Sequence, residues 1–388
     1  MQVLRAVGHA AATAGSMSWE ILWALVLGFY LSAVVEALVH KETVARLMGD
    51  HRPRSLVVAT GLGAASSSCS YAAVALARSL FRKGADFVAA MAFEVASTNL
   101  VIELGIILAV LLGWQFTLAE FVGGPLMIAL MALAFRVFVS QKVVEAARAQ
   151  AERGLSGRME GHAAMDMAVA GHGSFWRRLL SPEGFTSTSH LYVMNWASVI
   201  VDIVLGLAIA GCLGAWVPES FWRHLFFSGH PLAAKVWGPL VGPAISIASF
   251  VCSIGNVPLA AVLWNGGISF GGVVSFIFAD LIIIPILVIY RKYYGTAMTL
   301  RLSGIFYAVM VGAGYLVELA FQPLGLVPSS RDARVVSPHI ALNGDTYLDI
   351  AAIALSALLA VRFLRTGGLP MLRMMGGAPD RRTEHPGP

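Results

Sequence analysis

Seven stretches of the chain are almost uninterruptedly apolar: Trp19–Val39, Phe87–Leu112, Leu118–Val139, Met194–Val217, Phe270–Tyr290, Ile305–Phe321 and Tyr347–Val361. Most approach the roughly 20 residues that a helix needs to cross a bilayer, so the pattern predicts membrane-crossing helices. Two further apolar stretches have a different texture. Ser55–Ala77 is rich in Gly, Ala and Ser, and Trp237–Trp264 is interrupted by Pro239, Pro243, Gly255 and Pro258. Proline inside a span breaks or kinks it, and small residues permit tight turns and close helix approach.

The basic residues say how these stretches are threaded. Lys41, Arg46, Arg52 and Arg54 precede Ser55–Ala77, while Arg78, Arg82 and Lys83 follow it. Lys and Arg accumulate in loops that stay in the cytoplasm, so both flanks read as cytoplasmic loops. A segment with both ends on one side must enter and return, with its turn near Ser66–Ser70. Non-helical backbone at that depth is tolerated only where protein or water satisfies its polar groups, so the turn should line a cavity. Gln141–Ser189, with Lys142, Arg148, Arg153, Arg158, Arg177 and Arg178, reads as a cytoplasmic linker. Pro218–Lys235 reads as an external loop, and Trp237–Trp264 as a second hairpin entering from outside.

Each half is then span, hairpin, span, span. Three crossings are odd, so the second half should lie upside down relative to the first, the architecture of many secondary transporters. The expected fold is an all-α multi-span membrane protein. It has two inverted repeats, each with three spans and one re-entrant hairpin, plus a C-terminal span. The units fall at residues 1–140 (repeat 1), 141–192 (linker), 193–322 (repeat 2) and 323–388 (external loop, last span and cytoplasmic tail). The competing count makes both hairpin stretches full crossings, giving nine spans and parallel repeats.

The halves are also related in sequence. An offset of 183 places Cys69 on Cys252, Ser70 on Ser253, Gly84 on Gly267, Phe87 on Phe270 and Phe93 on Phe276. Between Ala65 and Ala96 no gap is needed and 12 of 32 positions are identical, against about three for unrelated segments of such composition. The best-matched polar element is a Cys-Ser pair in apolar surroundings. Composition agrees: 57% of the 388 residues are hydrophobic, 13% are charged and mean hydropathy is +0.74. The net charge of +5 sits in short loops rather than on one face, which argues against a nucleic-acid partner. The first 18 residues lack the compact apolar block of a cleavable signal. Three cysteines do not make a disulfide framework.

Thiols at matching repeat positions would meet at a pseudo-two-fold axis, where thiolates suit soft ions such as trivalent arsenic or Cu(I). The alternative is that Cys69 and Cys252 are small inert core residues, as Cys212 is read. Ser70, Asn99, Ser253 and Asn256 are the candidate polar contacts to substrate, against plain helix-to-helix hydrogen bonding. Intramembrane acids are costly and mark function by default. Glu94, Glu103, Asp202 and Asp280 are candidates for proton coupling, with carboxyls that only fix packing as the rival reading. Asp280 aligns with Ser97, and Glu103 follows Asn99 by four residues, so an Asn-Glu pair on one helical face is expected. Glu36 and Glu318 lie near span ends. Met159, His162, Met165, Met167 and His172 form either a weak capture site for soft metal or part of a tether. No HExxH, GxxxxGK[ST], GxSxG or CxxC is present, so neither ATP-driven transport nor common hydrolase chemistry is supported, and no cofactor is called for.

The string FVCSIGNVPLAAVLWNGGISFGGVVSFIFADLIIIPI, followed by IYRKYYG, resembles the predicted-permease family that includes the organoarsenical efflux permeases (ArsP-like) and the YraQ-like permeases. SSSCSYAAVALARSLFRKGADFVAAMAFEVASTNLVIELG resembles the same family's first repeat. The resemblance covers about Ser55 to Gly295 outside the linker. It implies a bacterial inner-membrane permease, in some members exporting arsenicals held by cysteine thiols, which here would be Cys69 and Cys252. The expected function is ion-coupled efflux of a small soft-metalloid or organoarsenical compound between the two Cys-Ser tips. A permease or channel for another small solute, an intramembrane enzyme using Cys69 or Glu94, and a membrane scaffold are the alternatives. The expected partners are that substrate and the lipid bilayer, with a homo-oligomer left open.

Overall fold

The computed structural model describes residues 2–38, 53–66, 70–82, 84–152, 175–227, 229–249, 253–333 and 344–376. Every regular element among them is a helix. The first half contains α1 (Gln2–Leu38), α2 (Pro53–Ser66), α3 (Ser70–Arg82), α4 (Phe87–Asn99), α5 (Ile102–Leu111), α6 (Trp114–Phe138) and α7 (Gln141–Glu152). A short α8 (Phe175–Leu179) leads to the second half. That half comprises α9 (Pro182–Trp216), α10 (Glu219–Leu225), α11 (Pro231–Ser249), α12 (Ser253–Gly266), α13 (Phe270–Phe278), α14 (Ile284–Tyr294) and α15 (Thr296–Phe321). α13 runs on into a 3₁₀ turn, Ala279–Ile282. α16 (Gly344–Arg365) and α17 (Leu369–Gly376) follow.

The 183-residue offset that relates the motifs also relates the elements. α2 and α11 end at matching residues, α3 and α12 begin at matching residues, and α4 matches α13 with its 3₁₀ turn at both ends. α5 and α14, and α6 and α15, end at matching residues and begin within one. The loop before each broken helix is built alike. Gly84 and Gly267 take positive φ of 102° and 109°, a left-handed conformation that glycine adopts without strain. The next helix is capped in one half by Asp86, which accepts from the Val88 and Ala89 amides, and in the other by Ser269, which accepts from Gly272.

Both halves break their next span at the same place. α4 and α5 meet at 41° across Leu100 and Val101, and α13 with its 3₁₀ turn meets α14 at 44° across Ile283, the position matching Leu100. The causes differ. In the second half the chain tightens to 3₁₀, becomes extended at Ile283 (ψ 149°) and restarts with a proline in the first turn of α14. In the first half no proline stands at the break. Ser97, Thr98 and Asn99 turn their side chains back onto the carbonyls of Glu94 and Val95, a local competition that ends helices.

Among the described residues four helices (α6, α11, α15 and Thr346–Arg365 of α16) are long and apolar enough to cross a membrane, or six if each bent pair counts as one span. The chain is a multi-pass membrane protein. α1 and α9 pack along each other, α6 packs on α15, and the broken helices lie between these pairs and the hairpin arms. Backbones approach closely where side chains are missing. A Cβ at Gly63 would stand 2.4 Å from Phe93 O, one at Gly271 2.3 Å from Gly314 O, and one at Gly314 2.5 Å from Gly271 O. Gly314→Val is therefore expected to destabilise the α13–α15 contact by about 3 kcal/mol. Its readout is a lowered melting temperature of detergent-purified protein.

Several boundaries differ from the sequence reading. α1 begins well before Trp19, and α15 begins before Ile305. Arg78 and Arg82 stand on α3 rather than in a loop; Arg78 is buried, donates to Ala151 O at 2.8 Å and lies 4.2 Å from the Tyr293 ring centroid. The expected linker is ordered at both ends: α7 docks on α3, α14 and α15, and α9 starts at Pro182 behind the cap Ser181. α7 reads as linker because its exposed face is charged, although Ala147 and Ala151 are buried. Met159, His162, Met165, Met167 and His172 lie outside the described residues.

Candidate functional site

Ser70 and Ser253 open α3 and α12, the helices that begin the matching stretches of the two halves. Both hydroxyls donate to one atom, Oδ2 of Asp280, at 2.7 Å from Ser70 and 2.6 Å from Ser253. Asp280 is in the 3₁₀ turn beside the break of the second half, and its Oδ1 accepts from Asn99 Nδ2 at 3.5 Å. Asn99 in turn is the last residue of α4, beside the break of the first half. One carboxylate thus gathers the first residues of α3 and α12 and both breaks. Asp280, Ser70 and Asn99 are fully buried and Ser253 is 5% exposed. Three donors on one carboxylate satisfy a charge that would otherwise be prohibitive at this depth.

A second buried carboxyl stands on α4, the helix that ends at Asn99. Glu94, fully buried on α4, accepts from the Tyr290 hydroxyl of α14, and its Oε2 has no hydrogen-bond partner among the described residues. Asn99 Oδ1 and Glu120 Oε1 are likewise unpartnered and buried. Glu120, on α6, was missed in the sequence although it stands inside the apolar run Leu118–Val139. The general signal of an acid within a span would have found it. Tyr290 was missed as well, since nothing local marks a tyrosine whose partner is 196 residues away. Asp349, fully buried on α16, accepts from the Trp23 backbone amide at 3.0 Å and belongs to a separate contact with α1.

The other expected site residues are placed as follows. Asn256 does not reach Asp280. It ties α12 to α11 by donating to Ser246 Oγ at 3.1 Å and accepting from Ser249 Oγ at 3.2 Å. The expected Asn99–Glu103 pair does not form, because the break at Leu100–Val101 falls between them. Asn99 bonds instead to Thr98 and Asp280, and Glu103 packs against α1 at Gly28, where a Cβ would come 2.1 Å from its own. Asp202 falls within α9, and its side chain is outside the described part. The same holds for Glu36 on α1. Glu318 accepts from the Gly271 amide at 3.0 Å and so caps α13. Cys69 and Cys252 lie outside the described residues, each one position before a tip serine in the chain. Cys212 is half-buried on α9. A groove of about 490 Å³ near Asp86, Arg136 and Arg148 is lined by none of these residues. No group of three or more His, Cys, Asp and Glu side chains placed to hold a metal occurs among the described residues.

Comparison with known proteins agrees with a multi-pass membrane protein. The chain is 65% identical over 383 residues to the protein named "Putative permease Rv2963" of Mycobacterium tuberculosis (strain H37Rv), covering 99% of this chain and 94% of that one. No solved structure matches. The ArsP_1 family, described as predicted permease, matches residues 6–319. That match takes in both hairpin motifs, both broken helices and Asp280, and points to a transporter rather than an enzyme: the chain belongs to the ArsP_1 predicted-permease family.

Proposed function

We propose that this permease carries a small soft-metalloid or trivalent organoarsenical compound out of the cell, through a site between the two Cys-Ser tips at Asp280. The single observation that supports it most is the convergence of Ser70 and Ser253 on one carboxylate oxygen. Equivalent residues of two copies of a motif meet at a point when a pseudo-two-fold axis runs through it, which is the geometry of inverted repeats in secondary transporters. The repeats are taken as residues 1–140 and 193–322, oppositely oriented in a bacterial inner membrane. Cys69 and Cys252 supply soft thiolate ligands beside the serines. Ser70, Asn99 and Ser253 hold the substrate's polar shell, and Asn256 fixes α12 against α11 behind them. Asp280 and Glu94 take up and release protons, with Glu103 and Asp202 as further acids in the spans. Protonation of Asp280 would turn an acceptor into a donor, release at least one serine and loosen the tips from each other. That links proton binding to opening of the site.

The test is uptake of trivalent phenyl- and methylarsenite into everted vesicles, with and without a proton gradient. Cys69→Ser and Cys252→Ser are each expected to lower that uptake at least about tenfold, equivalent to losing ~1.4 kcal/mol of binding, at unchanged protein level. Unchanged uptake removes the thiol reading and leaves a permease for another small solute. Conversion of substrate to product in detergent, without sealed vesicles, would instead indicate an intramembrane enzyme.

A further inference from the structure

Arg148 and Arg331 stand 183 positions apart, the offset that superposes the two halves. In the first half, Arg148 of α7 donates from Nη1 to Phe81 O and from Nη2 to Ala85 O at 3.0 Å, and its guanidinium lies 4.0 Å from the Phe81 ring centroid. In the second half, Arg331 donates to Trp264 O and Ile268 O, both at 2.8 Å, and lies 4.4 Å from the Trp264 ring centroid. Phe81 matches Trp264 and Ala85 matches Ile268 under the same offset. The backbones that deliver the two guanidiniums are unlike: one is a helix, the other an irregular segment after α15. Two unlike segments bring the same group to the same two carbonyls and the same aromatic face.

The chemistry of the contact is specific. The last carbonyls of a helix lack intrahelical donors and carry the negative end of its dipole. Phe81 O and Trp264 O are such carbonyls, while Ala85 O and Ile268 O belong to the loops that follow. A planar guanidinium can tie helix end and loop together while stacking on a ring, a geometry an ammonium does not offer. The helices so capped, α3 and α12, begin at Ser70 and Ser253. Each is thus a rod held at both ends, by Asp280 at the tip and by an arginine at the far end. With both arginines seated, the Asp280 centre is buried from every side.

We infer that Arg148 and Arg331 are a matched pair of positioning residues for transport. Each holds the outer end of one hairpin rod, and each governs access to the Asp280 centre from its own face of the membrane. This rests on the permease reading with oppositely oriented repeats. Releasing Arg148 should open the centre towards the face carrying α7, and releasing Arg331 should open it towards the other.

The experiment uses the full chain in a Cys212→Ser background, with a membrane-impermeant maleimide applied to inside-out and to right-side-out vesicles. Alkylation of Cys69 and Cys252 is read by mass spectrometry. Arg148→Met is expected to speed alkylation about tenfold from one face and Arg331→Met about tenfold from the opposite face, given the strength of charge-assisted bonds. Arg148→Lys and Arg331→Lys, which keep charge but lose the fork, should fall between and remain folded if the Met variants do not. A role confined to stability would raise labelling from both faces or lower the protein level, without a choice of side. Acceleration from the same face in both variants, or no acceleration in folded Lys variants, overturns the inference. Opposite acceleration without any vesicle uptake by the unsubstituted chain would sink the transport reading and leave the positioning role standing. Intact uptake with unmoved labelling would sink the positioning role alone.

Discussion

Asp280→Asn is expected to leave the protein folded and to abolish transport, with a fall of at least about 100-fold, or ~2.7 kcal/mol on the rate-limiting barrier. The asparagine keeps one oxygen on which Ser70 and Ser253 can converge as they do now. Its new amide would face Asn99 Nδ2, donor to donor, and Asn99 can turn its unpartnered Oδ1 into that position only by giving up its bonds to Val95 O and Thr98 Oγ1. Both serines stay satisfied, so the cost in stability is confined to Asn99 while the charge and the proton site are lost. Asp280→Ala differs. It strands three buried donors, each worth about 1–3 kcal/mol when left unmade, and should lose stability as well as transport. The pair of variants separates the carboxylate as a fastener from the carboxylate as a carrier. Melting temperature in detergent and vesicle uptake are measured side by side. Wild-type uptake by Asp280→Asn would show that the charge has no part in the cycle.

Glu94→Gln is expected to remove the acceleration of transport by a proton gradient while leaving the melting temperature within a few degrees of the unsubstituted protein. Glutamine keeps an oxygen to accept from the Tyr290 hydroxyl, so the α4–α14 contact survives. What it lacks is the exchangeable proton. Tyr290→Phe makes the complementary change: Glu94 keeps its carboxyl but loses the hydroxyl on Oε1, while Oε2 has no partner among the described residues to begin with. Losing that hydroxyl changes the surroundings of the Glu94 carboxyl, so the pH profile of uptake should shift in Tyr290→Phe. Gradient stimulation that persists in Glu94→Gln would assign Glu94 to packing.

The duplication was legible because it needs only local identity. The gap-free match around Ser70 and Ser253 extends, in the structure, to the ends of five successive helices. The matched break was half legible. Pro285 announces it in the second half, but the first half uses Ser97, Thr98 and Asn99, residues that also occur in unbroken helices. Missing that break produced the mistaken Asn99–Glu103 pair, which assumed a continuous helix. Asp280 stood out as an acid in an apolar run, yet nothing local tells that its partners are 210, 181 and 27 residues away. The arginine pair was hidden for a different reason. Arg148 was counted as one charge of a linker, and around Arg331 the sequence shares little else with α7, so only the shared carbonyl targets reveal the match. Charge-counting placed Arg78 in a loop because a buried arginine is rare, and its carbonyl and aromatic partners lie on distant elements.

The carboxylate that joins the two halves belongs to only one of them, since the matching position in the first half is Ser97. Swapping the roles of the halves therefore does not return the same molecule. With the halves oppositely oriented, as proposed, a perfectly twofold device would rest equally often towards either compartment, and this asymmetry predicts a preferred idle posture. The expected sign of such a rectifying tendency is unequal thiol reactivity from the two compartments before any cargo is added.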